Sequence, residues 1–110
     1  MDTSSAVAAL SALAHASRLA AFRLLVQAGP DGLAASRIAE SLGIAASSLS
    51  FHLKELVHAD LVTARQDGRF VIYAARFDRM DALLGFLTEN CCGGVPCAAA
   101  GPAACAPGAC

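Results

Sequence analysis

Apolar residues recur along this chain first at helical spacing, then at strand spacing, then at helical spacing again. From Ser4 to His15 an alanine-rich stretch places Val7, Leu10 and Ala14 on one face with Leu13 beside them. That pattern predicts an amphipathic helix with a small-residue stripe. Ser17 is placed to cap a second helix carrying Leu19, Phe22, Leu25 and Val26, which "AGPDG" stops at Gly29 to Gly32. A short third helix runs through "ASRIAESLG", with Ile38, Ala39 and Leu42 inward and Gly43 ending it. A three-residue turn leads into "SSLSFHLKELVHADLV", where Leu49, Leu53, Leu56 and Val57 share one side of a fourth helix.

The period then changes. "LVTARQDGRFVIYAA" holds two β-rich runs, Leu61 to Arg65 and Phe70 to Ala74, around Asp67-Gly68. Asp-Gly between such runs predicts a hairpin with both turn residues at positive φ. A fifth helix follows, with Met80, Leu83, Leu84 and Leu87 on one face, and ends about where the cysteines begin. From Gly93 onward, "GGVPCAAAGPAACAPGAC" has too many breakers and too little bulk to pack. The expected division is a domain over residues 1–92 and a flexible, cysteine-containing tail over 93–110.

Helix, tight turn and longer helix is helix-turn-helix order, and the hairpin after it makes the expected fold a winged helix: mainly α, five helices and a β-hairpin wing. Leu49, Leu53 and Leu56 occupy the inward side of the second helix of that pair. Ser47, Ser48, Ser50 and Phe51 remain near its N-terminus to face DNA. Short hydroxyls permit close approach to the major groove, and Phe51 can touch a thymine methyl. Arg65 and Arg69 flank the wing turn as candidates for backbone phosphate or a minor groove, and Arg37 on the preceding helix is a further phosphate candidate. The competing readings are solvated surface charge for the arginines and helix capping for the serines.

Composition restricts the classes. The chain has 110 residues, enough for one domain, with net charge −1, so DNA binding depends on local placement of its eight Lys and Arg residues. Mean hydropathy is +0.56, much of it from alanine. No apolar run reaches the ~18 residues of a membrane span, and "MDTSSAVAAL" lacks the basic start of a secretory signal. A cytoplasmic location is expected, and reduced thiols with it; five cysteines, an odd number, also argue against a complete disulfide framework. No Gly-rich phosphate loop, Cys–Arg anion cradle or paired acid–base set supports an enzyme.

"LAHASRLAAFRLL", "IAESLGIAASSLSFHLKELVHADLV" and "RQDGRFVIYAA" resemble the ArsR/SmtB winged-helix repressors over roughly residues 5 to 90. The resemblance implies a homodimer joined through its first and last helices, bound to an inverted repeat in promoter DNA and released by a metal or metalloid ion. It also places His52 where the family usually has a histidine on the reader helix, in a structural or DNA-proximal role. The small-residue stripe of the first helix and the leucine face of the fifth suit such a dimer.

The family's sensor positions differ among its members. One arsenic-type box puts cysteines where this chain has Leu33 to Ser36, so that site is gone. A zinc-type site on the last helix needs histidines; here that helix has Asp78, Asp81 and Glu89 but no histidine, and His15, His52 and His58 do not cluster by spacing. Cys91, Cys92 and Cys97 remain. Three thiolates in a tight Gly-Gly-x-Pro loop suit a soft, pyramidal centre such as As(III) or Sb(III). The chain resembles an arsenite-responsive subgroup with "ENCC" at the end of the last helix and a third cysteine after it. That subgroup has one more residue before the third cysteine, which leaves Cys105 or Cys110 as substitutes for Cys97. A thiol-redox switch, a Cd(II)-responsive repressor and a winged-helix protein-interaction module are the alternatives.

Overall fold

The computed structural model describes residues 1–94, so Cys97, Cys105, Cys110 and nearly all of the expected tail lie outside the described residues. Five α-helices and three strands follow in the order α1 (Thr3–Leu13), α2 (Ala16–Ala28), β1 (Leu33–Ala34), α3 (Ala35–Leu42), α4 (Ala46–His58), β2 (Val62–Asp67), β3 (Phe70–Ala75) and α5 (Phe77–Leu87). A 3-10 turn, Cys91–Gly94, closes the described chain.

The first two helices are each capped by the residue just before them, and the second cap differs from expectation. Asp2 caps α1, its carboxylate accepting from the Ser5 N–H at 2.8 Å. The cap of α2 is His15 rather than Ser17, the imidazole Nδ1 accepting from the Ser17 N–H at 3.1 Å. Chain reversal after Ala14 sets His15 in an extended conformation outside the helix, where its ring reaches back.

The burial of α1 also differs. Ala6, Ala9 and Ala12 are the buried residues, while Val7 and Leu10 are exposed. Methyl side chains let α1 lie close against α2 and α4. The small-residue stripe is therefore used inside the domain, and the larger residues are the ones left exposed.

Leu25, Ile38, Leu49, Leu53, Leu56, Leu61 and Val62 fill the centre, each below 2 % exposure or at it. Burying one such side chain contributes about 1.5–3 kcal/mol, and three of the seven come from α4. Its inward face is thus fixed as the leucine spacing predicts, and Gly43–Ala45 form the expected three-residue turn before it.

The wing is a three-stranded antiparallel sheet in the order β1-β3-β2. The short strand β1 has no period of its own in the sequence; it exists because Leu33 and Ala34 pair with Tyr73 and Ile72. Gly32 makes this approach possible: it sits at φ 73°, and a Cβ there would collide with the Tyr73 carbonyl. The hairpin turn is Gly68-Arg69, since Asp67 pairs with Phe70. Of the expected Asp-Gly pair only Gly68 takes positive φ, at 63°, and Asp67 remains the last residue of β2.

Candidate nucleic-acid interface

Helix α4 stands on its leucines, and everything opposite them faces outward. Ser47, Ser48, Ser50 and Phe51 are all exposed, Phe51 at 55 %. The cap position is Ala45, which offers no side-chain cap bond, so the serines lie inside the helix and none occupies the capping position. Capping therefore does not explain them. The first N–H groups of a helix have no intrahelical acceptor, and here no side chain caps them. They remain outward-pointing donors at the positive end of the helix dipole, an arrangement suited to phosphate.

The wing supplies the second part. Arg69 lies in the turn itself and is exposed, and Phe70 beside it keeps 57 % of its surface. Arg65 is placed differently from Arg69: its guanidinium donates to the Asp31 carbonyl at 3.1 Å, across the sheet in the loop after α2. One bond of five leaves donors for phosphate, but it also sets where the guanidinium stands. Gln66 Nε2 donates to the Gly68 carbonyl at 2.9 Å and closes the wing tip. Arg37 is exposed on α3.

Three residues around the reader helix come together although their numbers do not suggest it. The His15 and His52 rings lie 4.5 Å apart, so these two histidines do cluster, contrary to their spacing. Arg18 Nε donates to His52 Nδ1 at 3.2 Å, and the Arg18 guanidinium carbon stands 5.6 Å from the Phe51 ring centre. Partial burial first, then the positive neighbourhood of His15 and Arg18, lowers the His52 pKa below the ordinary histidine value. The sequence signal was faint: Arg18 is one of several arginines, and only the crossing of α2 over α4 singles it out.

At the other end of the domain α5 stops at Leu87, the Thr88 hydroxyl donating to the Leu84 carbonyl at 2.8 Å. Cys91 and Cys92 follow in the 3-10 turn, one helical turn later than the sequence suggests. Cys92 takes φ 55° and Gly93 φ 68°, a reversal that leaves both cysteines exposed with sulfurs 3.7 Å apart. Among the described residues no three His, Cys, Asp or Glu side chains converge on one point; Cys97, the expected third ligand, is outside them. Asp78 is engaged with Arg76 at 2.9 Å, which lowers its pKa.

Val7 and Leu10 on α1 and Leu84 and Leu87 on α5 form the exposed apolar surface of the two outer helices. Among the described residues no single helix is long and apolar enough to cross a membrane.

A family model described as a helix-turn-helix domain matches residues 13–65. The nodulation protein NolR of Rhizobium meliloti is 32 % identical over 88 residues, covering 80 % of this chain and 70 % of that protein. Among solved structures, a homodimeric winged helix-turn-helix DNA-binding domain from Mycobacterium bovis, described as a possible ArsR-family regulator, superposes with a TM-score of 0.64. It is 26 % identical and the match covers 84 % of this chain and 85 % of that one. A possible transcriptional regulator for arsenical resistance superposes with a TM-score of 0.63 at 28 % identity, over 73 % and 80 % of the two chains.

Proposed function

Since the chain belongs to the ArsR family of winged helix-turn-helix transcriptional regulators, we propose that it is a homodimeric repressor of promoter DNA that As(III) or Sb(III) releases through its C-terminal cysteines. The observation that carries the DNA part is the uncapped, outward-facing first turn of α4. Serine hydroxyls, free N–H groups and Phe51 are presented together there, on a helix held from behind by three leucines. Two such helices in a two-fold dimer read half-sites about one helical turn of DNA apart, roughly 34 Å. The wing arginines add contacts to phosphate, which give affinity without sequence preference.

Support for the metalloid part is the position of the adjacent Cys91 and Cys92, exposed directly after the helix that carries the exposed Leu84 and Leu87. A ligand drawing Cys91, Cys92 and Cys97 together reshapes the chain where α5 meets the partner. Tilting the two reader helices out of register with successive major grooves then needs a coupling of only about 1–3 kcal/mol.

Fluorescence anisotropy on the chain's own promoter DNA, under reducing conditions and titrated with arsenite, tests both parts. Wild type binds and is released. Cys91→Ser and Cys92→Ser bind but stay bound, whereas the double variant Cys105→Ser/Cys110→Ser remains inducible, because long spacers make those sulfurs entropically poorer ligands. If that double variant is the one that stays bound, the ligand site is misplaced. Release by Cd(II) or a mild oxidant but not by arsenite reassigns the inducer. Absence of promoter binding removes the repressor reading and leaves a protein-interaction module.

A further inference from the structure

Arg18 is not itself among the DNA-facing residues, yet it is the side chain that holds two of them. Its Nε donates to His52 Nδ1 at 3.2 Å, and its guanidinium lies over the Phe51 ring at 5.6 Å. Both partners are on the reader helix, at neighbouring positions, whereas Arg18 belongs to the first turn of α2. That turn is itself tied by His15, whose Nδ1 accepts from the Ser17 N–H while its ring lies tilted against His52, centroids 4.5 Å apart. The result is a bridge from α2 to the outward flank of α4, built separately from the leucine core beneath.

We propose that Arg18 is a positioning residue for the DNA-reading face of α4, orienting Phe51 and His52 through a hold that requires His52 to be neutral. This rests on the promoter-binding role proposed for the chain. The hydrogen bond runs into a lone pair on Nδ1, so that nitrogen carries no proton and the ring's single N–H is on Nε2. A second proton would go onto Nδ1. It would remove the acceptor and set an imidazolium against a guanidinium, with the His15 ring on the other side. The charged and titratable groups facing His52 are Arg18 from α2 and His15 from the α1–α2 junction. Glu55 and His58, further along α4 itself, line with Arg18 an adjoining cavity of about 260 Å³. Burial first, and then these positive neighbours, hold the His52 pKa below the ordinary histidine value.

The bridge touches Phe51, which can read a thymine methyl, and leaves the wing untouched. Its loss therefore reduces discrimination between operator and unrelated DNA more than it reduces overall affinity. The experiment measures binding of the full chain to its promoter duplex and to a scrambled duplex of equal length, between pH 5.5 and 8. Arg18→Gln should keep the wild-type circular dichroism spectrum and lose about tenfold in operator preference. Wild type should lose preference as pH falls and His52 takes up its second proton, and Arg18→Gln should show a flat profile. His52→Asn removes the group that takes up the proton, so whatever preference it has at pH 8, its profile should be flat.

If Arg18→Gln weakens both duplexes equally, Arg18 is an ordinary phosphate contact and the proposal falls. Unchanged preference in a folded Arg18→Gln variant overturns it as well, as does a pH profile that survives in His52→Asn. Should Arg18→Gln fail to fold, His52→Asn and the wild-type profile decide alone. His52 titration followed by NMR without DNA separates the hold from its effect on DNA: the His52 pKa should rise in Arg18→Gln. That shift without any promoter binding in wild type would sink the repressor reading while leaving the Arg18–His52 hold in place, and no shift would sink the hold itself.

Discussion

Leu84→Ala/Leu87→Ala tests whether the exposed face of α5 joins two protomers. These leucines keep 53 % and 54 % of their surface in the isolated chain. Truncation to alanine removes three carbons, worth about 0.8 kcal/mol each when fully buried. About half of each side chain is left for a partner to cover, so each truncation costs the dimer roughly 1.2 kcal/mol. A two-fold interface counts every substitution twice. The double variant therefore weakens the dimer by about 5 kcal/mol, or roughly 10³–10⁴-fold in dissociation constant. Alanine is at least as good a helix former as leucine, and neither residue belongs to the buried core, so the fold itself should persist. Sedimentation velocity across a concentration series measures the dissociation constant, with thermal melts of the monomeric form as the control. A dissociation constant within tenfold of wild type, at unchanged folding, would show that this face of α5 lies outside the interface. Unfolding at all concentrations would mean instead that α5 depends on the pair of leucines for its own packing.

Arg65→Ala/Arg69→Ala should weaken binding to every DNA sequence alike. It should also flatten the plot of log affinity against log salt by up to about 0.9 for each phosphate that the two arginines neutralise; an unchanged slope would refute the wing assignment. Leu53→Asp places an unpartnered charge in the fully buried centre and should abolish helical circular dichroism. Ser48→Ala, on the exposed side of α4, should leave a folded dimer. Stability between pH 5 and 7.5 should follow His52. Its pKa is lower in the fold than in the unfolded chain, so the unfolded chain binds the extra proton more readily. Stability is then fully present above the ordinary histidine pKa of about 6.5 and declines as pH falls below it. Asp2 and Asp78 are shifted downward too, but carboxylates titrate below this window and do not contribute within it. Urea titrations at several pH values, repeated on His52→Asn, should show the decline in wild type and little of it in the variant.

Where a residue's neighbours lie within one helical turn or one hairpin, the sequence alone determined the outcome. Leu49, Leu53 and Leu56 had to share a face because α-helical periodicity puts them there. The same geometry pushed Ser47, Ser48, Ser50 and Phe51 outward as candidates for DNA. Gly43 and Gly68 marked their turns through a backbone conformation that most residues avoid. Tertiary structure decided what depends on distant segments meeting. The strand β1 exists only through its pairing with β3. Ala6, Ala9 and Ala12, not Val7 and Leu10, became the buried side of α1. Close helix packing rewards small side chains where the gap is narrow, and the hydrophobicity of a single position does not report that gap. Arg65 turned to Asp31, and His15, Arg18 and His52 met across helices whose numbers lie 34 or more apart. Local rules carry no term for such encounters. A hydrogen bond between α2 and α4 depends on the angle at which the two helices cross, and the packed core as a whole sets that angle.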